Sequence, residues 1–366
     1  MSEVNTKLVI SILGGRLGES IIIQTPGGSY GVIDSYASAL ETPNTNPTIK
    51  KLEEFGTEKL RFVALSHPHA DHYKGMFTLF QRYKQNIEQF WRFPLGQATW
   101  SVFFDRFTQD FEINDTVGGR VKIAQKIKDL RRILDLAKAE VNNANMEPLT
   151  TQDERIMLEE DNGFSIICLG PSTKIVDSYQ ESLAKKVIVD QSHTAEFNHN
   201  LISSVFAVKY GNWLGILGGD TEQRSWNDIL ERCGNKWIKD TNFVKISHHG
   251  SPTGSFSSLW ENINSNTCDV VVTCFAAQGL PNASGLQFVH EKGYKLHSTN
   301  SQLATHLYNR SIRSSSPIES TTQPLNALDK EYNGEVRITV DKNGEALVDY
   351  YGAAGPIYAT QAKGNL

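Results

Sequence analysis

Short runs of apolar residues, each ended by glycine or polar residues, recur in the first part of the chain and predict buried strands. Residues 9–13, 21–23 and 30–34 form three such runs, separated only by turn-forming segments. Residues 46–55 then carry apolar side chains at helical spacing, and a glycine follows them as a typical helix end. Residues 60–65 form one more apolar run. This order of strands and a helix predicts an α/β fold.

The pattern changes between residues 76 and 161, where helical periodicity replaces most strand signals. Residues 76–83 continue helically from the preceding loop, and residues 121–139 have apolar positions three and four apart, as in an amphipathic helix. The second of these helices carries six basic residues. Two interpretations stay open: a solvated face on a helix that packs against the core, or a cap that supplies cations to a phosphate backbone.

Aromatic residues are interleaved with arginine in two stretches of this middle region, residues 89–95 and 100–107. Such side chains can stack on nucleic-acid bases. More often they belong to a core or to an oligomer contact, and both interpretations are kept.

Strand signals return in the second half of the chain. The predicted strands are residues 164–169, 203–210, 213–217, 242–246, 268–275 and 294–299. A helical segment is expected to begin at Leu280-Pro281, between the last two of them. Residues 310–325, rich in Ser, Thr and Pro, are predicted as a loop, and residues 336–340 and 346–351 as a hairpin.

A dense cluster of metal-ligand residue types follows the strand predicted at residues 60–65. The run Ser66-His67-Pro68-His69-Ala70-Asp71-His72 holds three imidazoles and one carboxylate, which are ligands that zinc and similar ions prefer. His67 and His69 share the two-residue period of an extended segment, so their side chains start on the same side. Asp71 and His72 come after the chain turns and can point to a second position. The cluster predicts a site for one or two metal ions, and the alternative is a solvated loop.

Two later segments place the same residue types at strand ends. The strand 213–217 stops at Gly218-Gly219-Asp220, where glycines let the backbone approach an ion without a Cβ in the way. The strand 242–246 is followed by Ser247-His248-His249-Gly250-Ser251. Asp220 considered alone is also compatible with an ordinary turn carboxylate.

Together these residues resemble the metallo-β-lactamase superfamily. Residues 67–72 match its His-x-His-x-Asp-His signature. The Gly-rich turn at residues 14–20, before a strand that ends in Ile33-Asp34, is similar to the ComEC-type branch, which includes the hydrolase domain of bacterial competence proteins. The Gly-Gly-Asp and His-His-Gly-Ser segments resemble the same branch. The resemblance implies an αββα sandwich with a helical insertion after the histidine-rich motif.

The resemblance also implies roles for individual residues. The metal ligands it implies are His67, His69, Asp71, His72, Asp220 and His248, with Asp220 bridging two ions. It implies catalytic roles for Asp71, Asp220 and His249. His249 is expected to contact substrate or donate a proton, although the roles of His248 and His249 can be exchanged.

One ligand does not carry over from the superfamily. Most members have a histidine about one hairpin before the bridging Asp, where this chain has Ile202 or Ser203. His199 and Asn200 are the nearest polar groups that can take its place. His199 is therefore either a metal ligand or a loop residue with an ordinary hydrogen bond, and both interpretations stay open.

The expected chemistry is hydrolysis. A bound divalent ion lowers the pKa of its water to about 7, so hydroxide is available at physiological pH. Asp220 is expected to orient that hydroxide, and Asp71 to coordinate the second ion and accept the proton of the nucleophile. Zinc, as one or two ions, is the predicted cofactor, and manganese suits the same ligands.

The ComEC-type resemblance favours a phosphodiesterase or nuclease whose substrate is a nucleic acid or a nucleotide. Two ions can clamp the attacking and leaving oxygens of such a displacement. The second hypothesis is hydrolysis of a lactone, thioester or β-lactam. The third is a non-catalytic scaffold subunit, suggested by the irregular segment around His199. Homo-oligomers or partner proteins in a larger system are compatible with each hypothesis.

Length and composition limit these hypotheses. We interpret the 366 residues as one domain, with a helical insertion at about 76–161 and a C-terminal extension at about 301–366. The net charge of −5 argues against indiscriminate nucleic-acid binding through an all-positive surface. The sequence has no run of eighteen apolar residues and no signal-peptide pattern, so we expect a soluble cytoplasmic protein without a membrane partner. The four scattered cysteines are predicted to be reduced packing residues.

Overall fold

The computed structural model describes residues 6–94, 118–141, 146–189, 198–255, 257–314 and 333–357. Within these ranges the strands are β1 Leu8–Gly14, β2 Glu19–Gln24, β3 Tyr30–Ile33, β4 Phe62–Leu65, β5 Phe90–Arg92, β6 Met146–Pro148, β7 Arg155–Glu159, β8 Phe164–Gly170, β9 Val205–Tyr210, β10 Trp213–Leu217, β11 Phe243–Lys245, β12 Asp269–Val272, β13 Lys295–Ser298, β14 Gly334–Val340, β15 Ala346–Gly352 and β16 Gly355–Pro356. The α-helices are α1 Pro47–Glu54, α2 Ala70–Tyr73, α3 Met76–Tyr83, α4 Gly118–Glu140, α5 Thr173–Val189, α6 Gln223–Cys233, α7 Ser257–Trp260, α8 Ala283–Glu291 and α9 Ser301–Ser314. Short 3₁₀ turns include His199–Ile202 and Ser247–Gly250.

The described strands form two mixed sheets. The first has the order β15-β14-β1-β2-β3-β4-β5-β6, and the second has the order β16-β13-β12-β11-β10-β9-β8-β7. Strands β3, β4 and β5 run parallel in the first sheet, and β10 to β13 run parallel in the second. Since parallel strands end at the same edge of a sheet, the residues that follow them collect at one edge of each sheet.

The side chains of β2 show how the chain is layered. Ile21 and Ile23 join a buried cluster between the two sheets, to which the second sheet contributes Ile166 and Phe206. Ile22, between them in sequence, points the other way and packs against helices. The two-residue period of a strand requires this alternation, and a strand covered on both faces reads as a continuous apolar run.

Two further apolar clusters cover the outer faces of the sheets. Helices α1, α3, α4 and α5 pack on the first sheet, with Leu79 and Ile133 among the fully buried contacts. Helices α6 to α9 pack on the second sheet through residues such as Trp226 and Leu286. The layers are therefore helices, sheet, sheet and helices, which confirms the predicted α/β sandwich.

The range predicted as a helical insertion, residues 76–161, contains strands as well as helices. Strands β5 and β6 extend the first sheet beyond β4, and β7 pairs with β8 in the second. Phe90, Trp91 and Phe93 are buried, so the core interpretation holds for these aromatic residues. The second aromatic stretch, residues 100–107, lies outside the described residues.

The C-terminal part of the chain belongs to both sheets. The predicted hairpin is confirmed as β14 and β15, and β14 pairs with β1. Residues 310–314, predicted as a loop, instead end helix α9, whose Leu303 and Leu307 pack in the second outer core. The four cysteines are free. Among the described residues no helix has the combination of length and apolar character that a membrane span needs.

Candidate metal centre

The strand ends bring two groups of candidate metal ligands together. The first group is His67, His69 and Asp220, and the second is Asp71, His72, Asp220 and His249. Within each group, the candidate ligand atoms all lie within 4.8 Å of one another. Asp220 belongs to both groups, which is the position expected of a carboxylate that bridges two ions.

The first group is built on the end of β4. His67 is completely buried, and its Nε2 lies 3.6 Å from Oδ2 of Asp220. The ring of His69 meets the ring of His67 edge-on, with centroids 4.6 Å apart. The extended segment thus places both imidazoles on one side, as the two-residue spacing predicts.

The second group joins α2 to the ends of β10 and β11. His72 Nε2 lies 3.3 Å from Oδ1 of Asp220 and 3.7 Å from Oδ2 of Asp71. His249 Nε2 lies 3.2 Å from the same Asp71 oxygen and 3.8 Å from Asp220 Oδ1. The two imidazoles therefore face the same pair of carboxylates.

Three buried atoms at this centre have no hydrogen-bond partner among the described residues: His67 Nε2, His72 Nε2 and Asp220 Oδ1. A buried polar atom without a partner is costly, and native proteins rarely tolerate several in one place. Imidazole nitrogens and carboxylate oxygens are also the donor set that zinc prefers. The residues present therefore fit divalent ions.

Asp34, the first residue after β3, holds two of the histidines in place. Its Oδ1 accepts from the backbone N–H of Ser66 at 2.8 Å, and its Oδ2 accepts from Ser66 Oγ at 2.6 Å and His72 Nδ1 at 2.7 Å. Because the Ser66 hydroxyl donates to Asp34, its oxygen is left to accept from His67 Nδ1, 3.0 Å away. Both imidazoles therefore use Nδ1 for support and leave Nε2 for an ion.

Charge within the centre shifts the ionisation of its members. Burial alone lowers the pKa of His72, but Asp220, Asp34 and Asp71 raise it well above its ordinary value. Burial raises the pKa of Asp220, yet His72 and His249 hold it well below the usual range. Burial, with His72 and His69 beside it, lowers the pKa of His67 well below normal.

The structure places His249, rather than His248, among the candidate ligands. His248 lies toward the rim with 13% of its side chain exposed, where its Nδ1 is 3.2 Å from Thr253 Oγ1 and 3.4 Å from Glu222 Oε1. Both histidines have a positive φ, 49° and 50°, in the turn after β11. This left-handed turn points the side chain of His249 inward and leaves that of His248 at the rim.

His199 lies beside the first group but is not part of either set of converging ligand atoms. Its ring centroid is 5.4 Å from that of His69, and its Nδ1 is 2.6 Å from the hydroxyl of Tyr179 on α5. Ser203, one of the two residues expected where the superfamily resemblance has a histidine, lies close to His67 and Asp220. Its Oγ accepts from the backbone N–H of Asp220 at 2.9 Å and lies 3.4 Å from His67 Nδ1.

Several residues of the centre carry no role in the sequence prediction, notably Glu19, Lys245 and Thr273. A lysine inside the apolar strand Phe243–Lys245 was the available signal, because a buried lysine needs a charged partner. The Gly-rich turn before Glu19 was another, since Gly18 adopts a φ of 154° and a Cβ there would lie 2.1 Å from the carbonyl oxygen of Asp71.

No protein-family model and no curated protein sequence matches the chain. Among solved structures it is similar to a diphosphatase of the PhnP family, at 11% identity and a TM-score of 0.37 over 74% of this chain and 87% of that one. It is similar to zinc-bound PqqB from Methylobacterium extorquens, at 11% identity and a TM-score of 0.40 over 79% and 97%. It is also similar to Tm1679, described as a metal-dependent hydrolase of the β-lactamase superfamily, at 11% identity and a TM-score of 0.40 over 80% and 95%. Likeness at this level transfers no residue role or substrate to this chain.

Proposed function

We propose that this chain is a metal-dependent hydrolase that holds two divalent ions, with zinc as the favoured metal. The observation that carries the proposal is the convergence of two ligand groups on Asp220, with three buried atoms left without partners. Ions bound there would supply Lewis acidity and a hydroxide nucleophile near neutral pH. Manganese suits the same ligands.

Each residue then has a defined task. His67, His69 and Asp220 would hold one ion, and Asp71, His72, Asp220 and His249 the other. The side chain of Asp71 is 10% exposed and that of Asp220 is 2% exposed. Asp71, as the more accessible carboxylate, would accept the proton of the nucleophile. His248 stands at the rim, where its ring contacts Glu222 and Thr253, and would stabilise charge on the leaving side.

A phosphodiester of a nucleic acid or a nucleotide is the substrate class we propose, in keeping with the ComEC-type resemblance. Helix α4 supports this class, because the Tyr73 hydroxyl donates to the carbonyl oxygen of Lys126 at 3.0 Å and so fixes the basic helix next to the motif. Lys126 has an exposed side chain. Burial, followed by the charges of His69 and Lys126, lowers the pKa of His199 to about 3.

Hydrolysis assays on the purified chain test the proposal. Single- and double-stranded DNA, RNA and bis(p-nitrophenyl) phosphate are incubated with the zinc- or manganese-loaded protein, beside a lactone, a thioester and a β-lactam. We expect turnover of a phosphodiester that D71N abolishes and D135N retains, because Asp135 is an exposed residue of α4 with 73% of its side chain accessible. Turnover of the lactone, thioester or β-lactam without turnover of any phosphodiester would contradict the proposed substrate class.

Metal analysis addresses the scaffold hypothesis. Two ions per chain after purification with added zinc would support a hydrolase, whereas none would support a non-catalytic subunit. Light scattering on the same sample measures whether the chain forms oligomers, which stays a prediction.

A further inference from the structure

Lys245, the last residue of β11, is a fully buried cation close to the metal centre. Its ammonium contacts the carboxylate of Glu19, which is 1% exposed, and lies 3.4 Å from the carbonyl oxygen of Gly219. Lysine is almost never fully buried unless it is paired. The ion pair joins β2 of the first sheet to β11 of the second, directly beneath the turn that carries Asp220.

One hydroxyl connects this ion pair to a candidate ligand. Thr273 Oγ1 is 2.6 Å from Oε2 of Glu19 and 2.9 Å from Nδ1 of His249. An ionised carboxylate can only accept hydrogen bonds, so the single hydroxyl proton of Thr273 is used on Glu19. The oxygen of Thr273 is then left to accept, and the partner that donates to it is Nδ1–H of His249.

We propose that Lys245, Glu19 and Thr273 are positioning residues that keep a proton on Nδ1 of His249, so that Nε2 is the nitrogen that holds the second ion. The inference rests on the proposed function only in that the centre binds metal. The direction of these hydrogen bonds is set at Lys245, because its ammonium can only donate and the carboxylate of Glu19 can only accept. We call the chain of hydrogen bonds from Lys245 through Glu19 and Thr273 to His249 the relay.

The relay opposes the intrinsic preference of the side chain. A histidine in water carries its proton mainly on Nε2, and in the metal-free protein the Asp71 carboxylate, 3.2 Å from Nε2, accepts from that atom as well. Thr273 and Glu19 are at most 1% exposed, so water does not compete for their hydrogen bonds. The Asp34 and Ser66 hydrogen bonds perform the same task for His67, which makes a carboxylate, a hydroxyl and an imidazole a motif used twice at this centre.

The test measures the tautomer directly, by nitrogen NMR of the full-length, metal-free protein labelled at its ten histidines, with H249Q used for assignment. We expect His249 to carry a proton on Nδ1 in the wild type and in T273S, which keeps the hydroxyl, and to carry one on Nε2 alone in T273V. A two-step zinc titration should show the second ion bound about 10–100-fold more weakly in T273V, with the first ion unchanged.

T241V is the matched control. Thr241 is also buried, but its hydroxyl donates to the carbonyl oxygen of Trp237 at 3.0 Å, at the opposite end of β11. T241V should retain both the tautomer and the zinc affinities of the wild type. A wild-type His249 without a proton on Nδ1, or equal second-ion affinities in T273V and T241V, would overturn the relay. If T273V does not fold, the wild-type measurement alone decides.

Neither readout uses a substrate. A chain with the expected tautomer and two bound ions that hydrolyses none of the substrates would contradict the proposed function and leave the relay standing. Phosphodiester turnover with equal second-ion affinities in T273V and T241V would contradict the relay alone.

Discussion

Replacing Asp34 by asparagine changes one oxygen of a buried carboxylate into an amide nitrogen and leaves its size unchanged. Asp34 accepts from Ser66 N, Ser66 Oγ and His72 Nδ1, at 2.8, 2.6 and 2.7 Å. With the amide oxygen kept on Ser66 N, the new nitrogen faces Nδ1 of His72, and two donors then meet. His72 must give up that contact or lose its proton from Nδ1.

The cost follows from the hydrogen bond that is lost. A hydrogen bond to a charged group contributes about 1.5–3 kcal/mol. Loss of such support for a histidine ligand typically weakens metal binding by about 10–100-fold, and at about 1.36 kcal/mol per tenfold this is a similar free energy. Ser66 donates to Asp34 and accepts from His67, so the loss of the carboxylate also disturbs the support of His67. We therefore expect D34N to weaken the binding of both ions.

Zinc competition against a chromophoric chelator measures these affinities, with D135N as the charge-matched surface control. S66A should weaken chiefly the ion beside His67, because the direct contact from Asp34 to His72 remains. Denaturant unfolding of the metal-free protein shows whether each variant is folded. Zinc affinities of D34N within twofold of wild type, in a folded protein, would refute the view that Asp34 orients the ligands.

Three other predictions concern the roles of His248 and His249, proton release on zinc binding, and stability in acid. H249A should lose the second ion. H248A should bind both ions but lose turnover, as measured by metal content and a phosphodiester assay. Loss of the second ion in H248A and not in H249A would make His248 the ligand, as the family resemblance implies. Zinc binding near pH 7 should release a proton from His72, whose pKa lies well above its ordinary value, so the calorimetric enthalpy should change with the ionisation enthalpy of the buffer. Burial raises the pKa of Glu335, but Arg337 and Lys51 lower it below its ordinary 4.5, with contacts at 2.7 and 2.8 Å. A lowered folded pKa gives stability that is present above about pH 4.5 and is lost as the pH falls through the folded value. E335Q should therefore lower the free energy of unfolding at pH 7, and denaturant melts should show the difference from wild type shrinking below pH 4.5.

Local patterns in the sequence were sufficient for much of the fold. The apolar runs that became β2, β4 and β10 are buried on both faces, so their composition alone marks them as central strands. Residues 310–314 were misjudged because Ser-rich composition resembles a loop, while packing of the preceding turns of α9 against the second sheet extends the helix.

The candidate site was predictable wherever one segment carries several ligands. His67, His69 and His72 lie within six residues, and the motif fixes their spacing. Which of His248 and His249 points inward could not be predicted from the sequence. Two successive residues with a positive φ decide it, and neither of them is glycine. Thr273 and Glu19 are 254 positions apart, and only the meeting of the two sheets brings them together.

The charge of the centre relates the number of ions to the kind of substrate. Asp34, Asp71, Asp220 and Glu19 bring four carboxylates together, and Lys245 is the lysine that contacts them among the described residues. With neutral imidazoles this leaves an excess of three negative charges, and isolated buried carboxylates are strongly unfavourable. One divalent ion would leave the centre still negative and repel a phosphate. Two ions would leave one positive charge, which an anionic oxygen of the substrate can neutralise. If the substrate is the proposed phosphodiester, both ligand groups must therefore be filled, and the support proposed for His249 then matters as much as the support given to His67 and His72.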